Sequence, residues 1–264
     1  MLPKYLKPYH VNFSNLIRIG KKSDGGYVID KRVISKTKAV ITCGLEDEWS
    51  FEKEFQKYNK ECKIIAFDHT VNKNFWIKNL INSFFSIILL KQLNKKTFLK
   101  LFKFIEYKFF FNGKNIHHIK KIVSKQKNQN KEITINKAIG DNKDIILKID
   151  IEEDEYKILK DVNKNFDKIN LVIIEFHNLQ KNLKKIKKFI KKTKLKNIHI
   201  NANNYGMVDN YGIPQVIEMT LINSKKFKIK SKKTKRNYPI KGLDFKNRER
   251  GRDIKIVFGK KVFQ

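Results

Sequence analysis

The chain has 264 residues, 41% of them apolar, and carries 59 Lys and Arg against 26 Asp and Glu for a formal charge of +33. Its length allows a substantial core and its apolar residues fall in periodic blocks, which argues against a disordered chain. The only cations that are Arg are Arg18, Arg32, Arg236, Arg248, Arg250 and Arg252, so Lys carries the excess alongside abundant Asn, Ile and Phe, as AT-rich coding would produce. A dedicated nucleic-acid surface usually recruits Arg too, because its planar fork reads phosphate and guanine bidentately. What the charge does predict is weak, salt-sensitive, non-specific association with nucleic acid or anionic membrane.

In chain order, "IRIGKKSDGGYVID" (17–30) has apolar residues on both sides of Asp24-Gly25-Gly26, a turn sequence that predicts a hairpin. "KAVITCG" (38–44) and "KIIAFDH" (63–69) are short apolar runs of buried-strand type, and Trp49, Phe51 and Phe55 between them have helical spacing. Residues 71–128 break this rhythm and read as a helical insertion of two or more helices, with Asn112-Gly113 as a turn. Within it, "FFSIILL" (84–90) is far shorter than the ~20 residues a membrane span requires, and reads as a buried or amphipathic helix. Strands are expected again at "EITINKAIGD" (132–141), "DIILKID" (144–150), "INLVIIEFH" (169–177) and "KNIHINAN" (196–203). Helices over 152–163 and 179–194 alternate with them. In the second of these, Leu183, Ile186 and Ile190 face the sheet. "PQVIEMTLI" (214–222) and "RDIKIVFG" (252–259) complete the pattern as an antiparallel C-terminal pair joined by a basic loop.

Apolar strands separated by helices predict an α/β fold: a Rossmann-like sheet, mostly parallel, with helices on both faces and the antiparallel pair at its C-terminal end. A single domain over 1–264 is expected, with an N-terminal hairpin region at 1–37. Cys43 and Cys62 form no CxxC pattern and no signal peptide precedes the fold, so a reduced, cytoplasmic setting is expected, with a peripheral position at the inner membrane surface as its extension.

Ligands bind such sheets at the carboxyl ends of the strands. Those ends hold Gly44, Asp68-His69, Ala138 to Asp141, Asp150 to Glu152, Glu175 to His177, and Asn201 to Asn204. The first turn has one glycine, so it is neither GxGxxG nor a P-loop, and a tightly held pyrophosphate is disfavoured. Asp68 stands where a carboxylate accepts both hydrogen bonds of a ribose diol, a device common to NAD and S-adenosylmethionine enzymes, or else it merely starts the next loop. His117 and His118, adjacent in the insertion, are expected not to be ligands. His177 and His199 lie at or near strand ends, although His199 inside "IHI" also fits a buried structural histidine.

The run of motifs "DGGYVI" (24–29), "VITCGLEDEWSFE" (40–52), "IIAFDHT" (64–70), "ILKIDIEEDEYKIL" (146–159), "LVIIEFHNL" (171–179), "IHINANNYG…GIPQVIEMTLI" (198–222) and "YPIKGLD" (238–244) resembles the FkbM-like class I methyltransferases. The resemblance spans most of the chain outside 71–128. It implies transfer of a methyl group from S-adenosylmethionine to oxygen, on a sugar, glycan or small-molecule acceptor. It also implies that Gly44 borders the methionine portion, Asp68 holds the ribose, and Ala138 and Asp141 lie near adenine. Asp150 would face the reacting end, and Glu152, Glu175 and His177 would line the acceptor pocket. The chain departs from the pattern at Glu153, where such proteins carry glycine.

On this reading His177 is the general base, with Asp150 or Glu175 as orienter or alternative base. His199, Asn201 and Asn204 join Glu152 as acceptor-side residues. No metal and no specific protein partner are expected. The alternatives are an RNA or DNA methyltransferase gripping phosphates with its lysines, or a non-catalytic binding module on the same fold. The acidic run divides in two: Asp150 and Glu152 belong to the site, while Glu153, Asp154 and Glu155 fall in the first turn of a helix, where negative charge offsets the helix dipole.

Overall fold

The computed structural model describes residues 1–88, 95–125 and 130–259. Its centre is a seven-stranded sheet of β1 (Ala39–Cys43), β2 (Lys63–Phe67), β3 (Ile116–Ile119), β4 (Ile145–Ile149), β5 (Ile169–Phe176), β6 (Leu195–Ala202) and β7 (Ile217–Asn223). Their spatial order is β3-β2-β1-β4-β5-β7-β6. The β1–β2, β1–β4, β2–β3 and β4–β5 pairs are parallel, whereas β7 runs antiparallel to both β5 and β6. This is the mostly parallel, Rossmann-like α/β sheet the strand rhythm predicted. β1, β4, β5 and β7 are buried along their whole length, which is why they read as continuous apolar runs rather than as alternation.

Among the described residues six α-helices connect the strands: α1 (Ser50–Tyr58), α2 (Lys73–Ile88), α3 (Lys95–Phe111), α4 (Ile135–Ile139), α5 (Glu155–Lys164) and α6 (Leu179–Lys192). Side-chain alternation along the strands assigns the two faces of the sheet. Glu52 of α1 reaches Thr42 and Lys148, and Val28 of the N-terminal hairpin accepts a hydrogen bond from Thr220, so α1 and the hairpin cover one face. Phe176 points the other way and stacks on Tyr156 of α5, which packs against α6. The expected hairpin forms from Leu16–Ile19 and Tyr27–Asp30. Leu183 and Ile186 of α6 are buried as expected, and Phe189 completes that face with Ile190 half-buried beside it.

Four sequence expectations change. Residues 132–141 are a strand only at Glu132–Ile133; Thr134 then caps α4 through its side chain, a start signal hidden among β-branched residues. "IHHI" (116–119), assigned to the insertion, is the edge strand β3, its two histidines and flanking lysines masking the strand pattern. Of "RDIKIVFG" (252–259), Phe258–Gly259 pairs with Leu2–Pro3 outside the main sheet. The outer edge of β6 is already engaged by the N-terminal segment, where Tyr9 N donates to Asn197 O, so β7 is the one antiparallel strand. Finally, α2 and α3 form as expected; of the two readings of "FFSIILL", the buried one fails at Phe84 and Phe85, which are exposed, and the amphipathic one stands. Residues 89–94 and 126–129 of the expected insertion lie outside the described residues. No described helix is long and apolar enough to cross a membrane.

Candidate functional site

The strand order reverses between β1 and β4, so the connections that leave their carboxyl ends part to opposite faces of the sheet and a crevice opens between them. Gly44 closes β1 there with a φ of +83°, and a Cβ at this position would lie 1.6 Å from the carbonyl oxygen of Asp150. Only glycine lets the two strand ends meet, and Asp150 N donates to Cys43 O across the gap. A cleft of about 240 Å³ lies over this junction, lined among others by Gly44, Glu46, Asp68, Asp150, Ile151 and Glu152. Among the described residues other than glycine, Glu46, Asp144, Glu152, Glu153 and Asn178 have positive φ, and all but Asp144 stand in turns that leave strand carboxyl ends. Concentrated backbone strain of this kind is typical of functional loops. Glu153 adopts φ +75°, a conformation that favours glycine.

Asp68 is buried, and its carboxylate already accepts from four donors of the chain: Leu45 N, Glu46 N, Thr70 N and Thr70 Oγ1. Burial pushes its pKa up, but these bonds more than offset that and hold it below the usual carboxylate range. Asp68 therefore shapes the turn after β1 as well as lining the cleft. Glu46, presented by that same turn, is shifted upward by burial and by neighbouring Glu152, Asp47, Asp24 and Asp68.

Beside Asp150 and Glu152 of the cleft lining the structure places Glu175 and His177, which do not themselves line it. The Nε2 atom of His177 lies 3.9 Å from Asp150 Oδ1, 3.6 Å from Glu152 Oε2 and 3.7 Å from Glu175 Oε1. Its other nitrogen, Nδ1, is 3.3 Å from Oε1 of Glu155, which also accepts from His177 N at 2.7 Å. Glu155 is fully buried, so it does more than offset the α5 dipole as expected from sequence: it fixes the ring from behind. Burial opposes protonation of His177, but the Glu155 bond and the charges of Asp150 and Glu152 raise its pKa overall. Asp150 is pushed up to about 7 by burial, with His177 and Lys148 pulling it down and Glu152 and Glu46 pushing it up. Glu175 is driven well above the usual range by burial and by repulsion from Asp150, Glu218 and Asp24. Asp150, Glu175 and His177 each offer a donor atom, all within 4.8 Å of one another, and are the residues that could hold a divalent cation.

A polar row continues across the sheet on the same face, beneath the hairpin. Register pairs Glu175 with Glu218 and Glu218 with Asn201. Asn203 donates to Glu175 Oε1, Asn201 to Glu218 Oε2, and Asn247 to Glu218 Oε1 and Asp24 Oδ1. The sequence reading missed Asn203, Glu218 and Asn247, although Asn203 and Glu218 lie inside runs it singled out.

Not every expected site residue joins this group. His199 is buried below the row, with Nε2 3.0 Å from Asp244 Oδ1 and its ring edge-on to Tyr238, and so has a structural setting. Asn204 ties the 248–252 segment by bonding both the N–H and the carbonyl of Arg248. Ala138 is buried in α4, and Asp141 follows it on the surface. Gly140 between them accepts from Lys168, the residue before β5, so this stretch sits at the amino ends of the strands. Neither residue lines the cleft, because the chain turns into α4 where a strand was expected. His117 is exposed, whereas His118 bridges Tyr107 OH and the carbonyl of Asp68.

No protein-family model matches the chain, and no curated protein matches its sequence. Solved structures similar to it include fibrillarin in a fibrillarin/Nop5p complex, with a TM-score of 0.39 and 14% identity over 71% of this chain and 73% of that one. A precorrin-6y C5,15-methyltransferase from Geobacter metallireducens aligns with a TM-score of 0.37 and 11% identity over 73% and 87% of the two chains. TYW2 of M. jannaschii, in complex with AdoMet, gives a TM-score of 0.35 and 12% identity over 84% and 89%. Likenesses this remote carry no residue role across.

Proposed function

We propose that this chain is an S-adenosylmethionine-dependent methyltransferase acting on a hydroxyl oxygen, with a sugar, glycan or small molecule as acceptor. The observation that carries the reading is the meeting of Glu175 and His177 with Asp150, which lines the Gly44 cleft, and Glu155 holding the histidine ring. The donor set suits the cofactor: a carboxylate-rich cleft in a strongly basic protein favours a cation such as a sulfonium, and the single-glycine turn lacks a phosphate cradle. Gly44, Asp150 and Glu152 would hold the methionyl side. Glu46 and Asp68 would hold the ribose side, Asp68 mainly through the turn it organises.

When bound, the cofactor supplies an electrophilic methyl group on a positively charged sulfur. The protein must align the acceptor oxygen and take its proton, and positioning supplies much of the acceleration. His177 Nε2 receives that proton, and Glu155 steadies the imidazolium at Nδ1, as in other paired base-and-orienter arrangements. Because its pKa is raised, His177 must first give up its resting proton, and Asp150, with a pKa near neutrality, is the neighbour suited to exchange it. The Glu175, Glu218, Asn201 and Asn203 row is buried and bonds within itself, so it braces Glu175 rather than offering groups to an acceptor, and the sugar or small-molecule assignment rests on the resemblance. The test is methyl incorporation into a panel of glycans and small-molecule alcohols, with RNA as the competing acceptor. A salt-sensitive gain on RNA with no transfer to any alcohol refutes the acceptor assignment.

A further inference from the structure

A second surface has no part in this chemistry. Eight of the seventeen large hydrophobic side chains exposed among the described residues stand on α2 and α3: Ile77, Leu80, Ile81, Phe84, Phe85, Phe102, Ile105 and Phe109. Phe109 is 80% exposed, Phe84 64% and Phe85 56%, so these rings face solvent rather than graze it. A monomeric soluble protein scatters such residues singly; their concentration on two adjacent helices marks an interaction surface. The same two helices carry seven Lys and one acid, Glu106, which is paired with Lys53. An open groove of about 530 Å³ runs along α3 between Ile105, Phe109, Phe111, Asn112 and His118, with Lys108 beside it.

We propose that the outer face of α2 and α3 docks on an anionic lipid bilayer, with Phe84, Phe85 and Phe109 entering the headgroup–acyl boundary and the flanking lysines meeting lipid phosphates. Charge complementarity selects this occupant. A second copy of a chain with charge +33 would be repelled, and a nucleic acid offers nothing to bury isoleucine and leucine against. An anionic bilayer satisfies both halves of the patch, because such faces combine buried aromatics with attraction of Lys to the leaflet.

The helices are firmly rooted in the fold. Trp76 and Tyr107 pack against Trp49 on their inner side, and Tyr107 bonds His118, which in turn bonds the carbonyl of Asp68. Docking therefore holds the turn at the Gly44 cleft at a fixed distance from the lipid surface. The inference rests on exposure and charge, and stands whether or not methyl transfer is the reaction.

The test is co-sedimentation of the full chain with phosphatidylcholine vesicles, with and without phosphatidylglycerol. Binding is expected with phosphatidylglycerol alone, and should fall steeply toward about 1 M salt, where the Debye length is ~3 Å. Phe84→Ser/Phe85→Ser/Phe109→Ser should weaken it at least tenfold while Tm and far-UV circular dichroism stay unchanged, because the rings are exposed. Lys78→Gln and Lys108→Gln should each cost roughly fivefold. No binding to phosphatidylglycerol vesicles, or binding that the triple Phe variant leaves intact, overturns the proposal. So does a dimer in light scattering that the triple variant abolishes, since the face would then belong to a second copy.

Discussion

Replacing Gly44 by Ala probes the junction on which the whole site depends. The backbone there has φ +83°, which costs a residue with a Cβ ~1–2 kcal/mol. The added Cβ would also stand 1.6 Å from Asp150 O, where ordinary contact is ~3.3 Å, so the β1 and β4 ends must separate by well over 1 Å. Forcing extra volume into packed backbone adds ~1–3 kcal/mol, for a total of ~2–5 kcal/mol. Gly242 provides the control: its φ is +84°, but nothing lies within 4 Å of its missing Cβ. Gly242→Ala should therefore cost only the conformational ~1–2 kcal/mol. Urea unfolding of both variants measures the difference directly. Gly44→Ala should also lose ~10²-fold in turnover, because a shift of about 1 Å at reacting groups has that effect. Equal destabilisation of the two variants, or full turnover in Gly44→Ala, would refute the reasoning.

Glu155→Gln should lower the His177 pKa and reduce methyl transfer ~10²-fold or more, moving the acidic limb of the pH–rate profile downward; an unchanged profile means Glu155 does not orient the base. Lys148 and Glu52 form a buried pair at 3.1 Å, with side-chain exposures of 4% and 0%, so Glu52→Ala should cost ~3–5 kcal/mol in denaturant unfolding. Glu52→Leu/Lys148→Met should recover most of that loss, and a double variant no better than the single contradicts the charge argument. The raised pKa of Asp150 means the folded state binds more protons than the unfolded chain between about pH 4 and pH 7, so stability falls as pH rises through that window. His177, also raised, withdraws its stabilisation above its own unfolded value. Asp150→Asn should thus be more stable than wild type at pH 8 yet inactive, which thermal unfolding at pH 5 and pH 8 will check. Finally, a chelator should leave turnover unchanged if His177 works as a protein base. Loss of turnover restored by a divalent cation would instead make Asp150, Glu175 and His177 a metal site.

The sheet was legible because β1, β4, β5 and β7 are buried on both faces and read as unbroken apolar runs. The carboxyl ends of those strands led directly to Gly44, Asp150, Glu175 and His177. What could not be read was tertiary. Glu155 looks like any acid in a first helical turn, and only folding buries it behind His177. Asp68 carries the residue type a ribose needs, but the chain's own amides take its oxygens. Ala138 and Asp141 were misplaced because "EITINKAIGD" has a strand's composition, while Thr134 caps a helix inside it. "IHHI" shows the reverse error, a true edge strand whose polar residues hid it. His199 and Asn204 sit near strand ends in sequence, yet pack against Asp244 and Arg248 from the C-terminal segment. A one-dimensional reading has no access to such distant partners.

Equilibrium titration with S-adenosylmethionine tests the central claim most directly. The account predicts one site per chain, at least tenfold weaker in Asp150→Asn and Gly44→Ala but unchanged in Gly242→Ala. No binding at millimolar cofactor, or binding indifferent to Asp150 and Gly44, would contradict it.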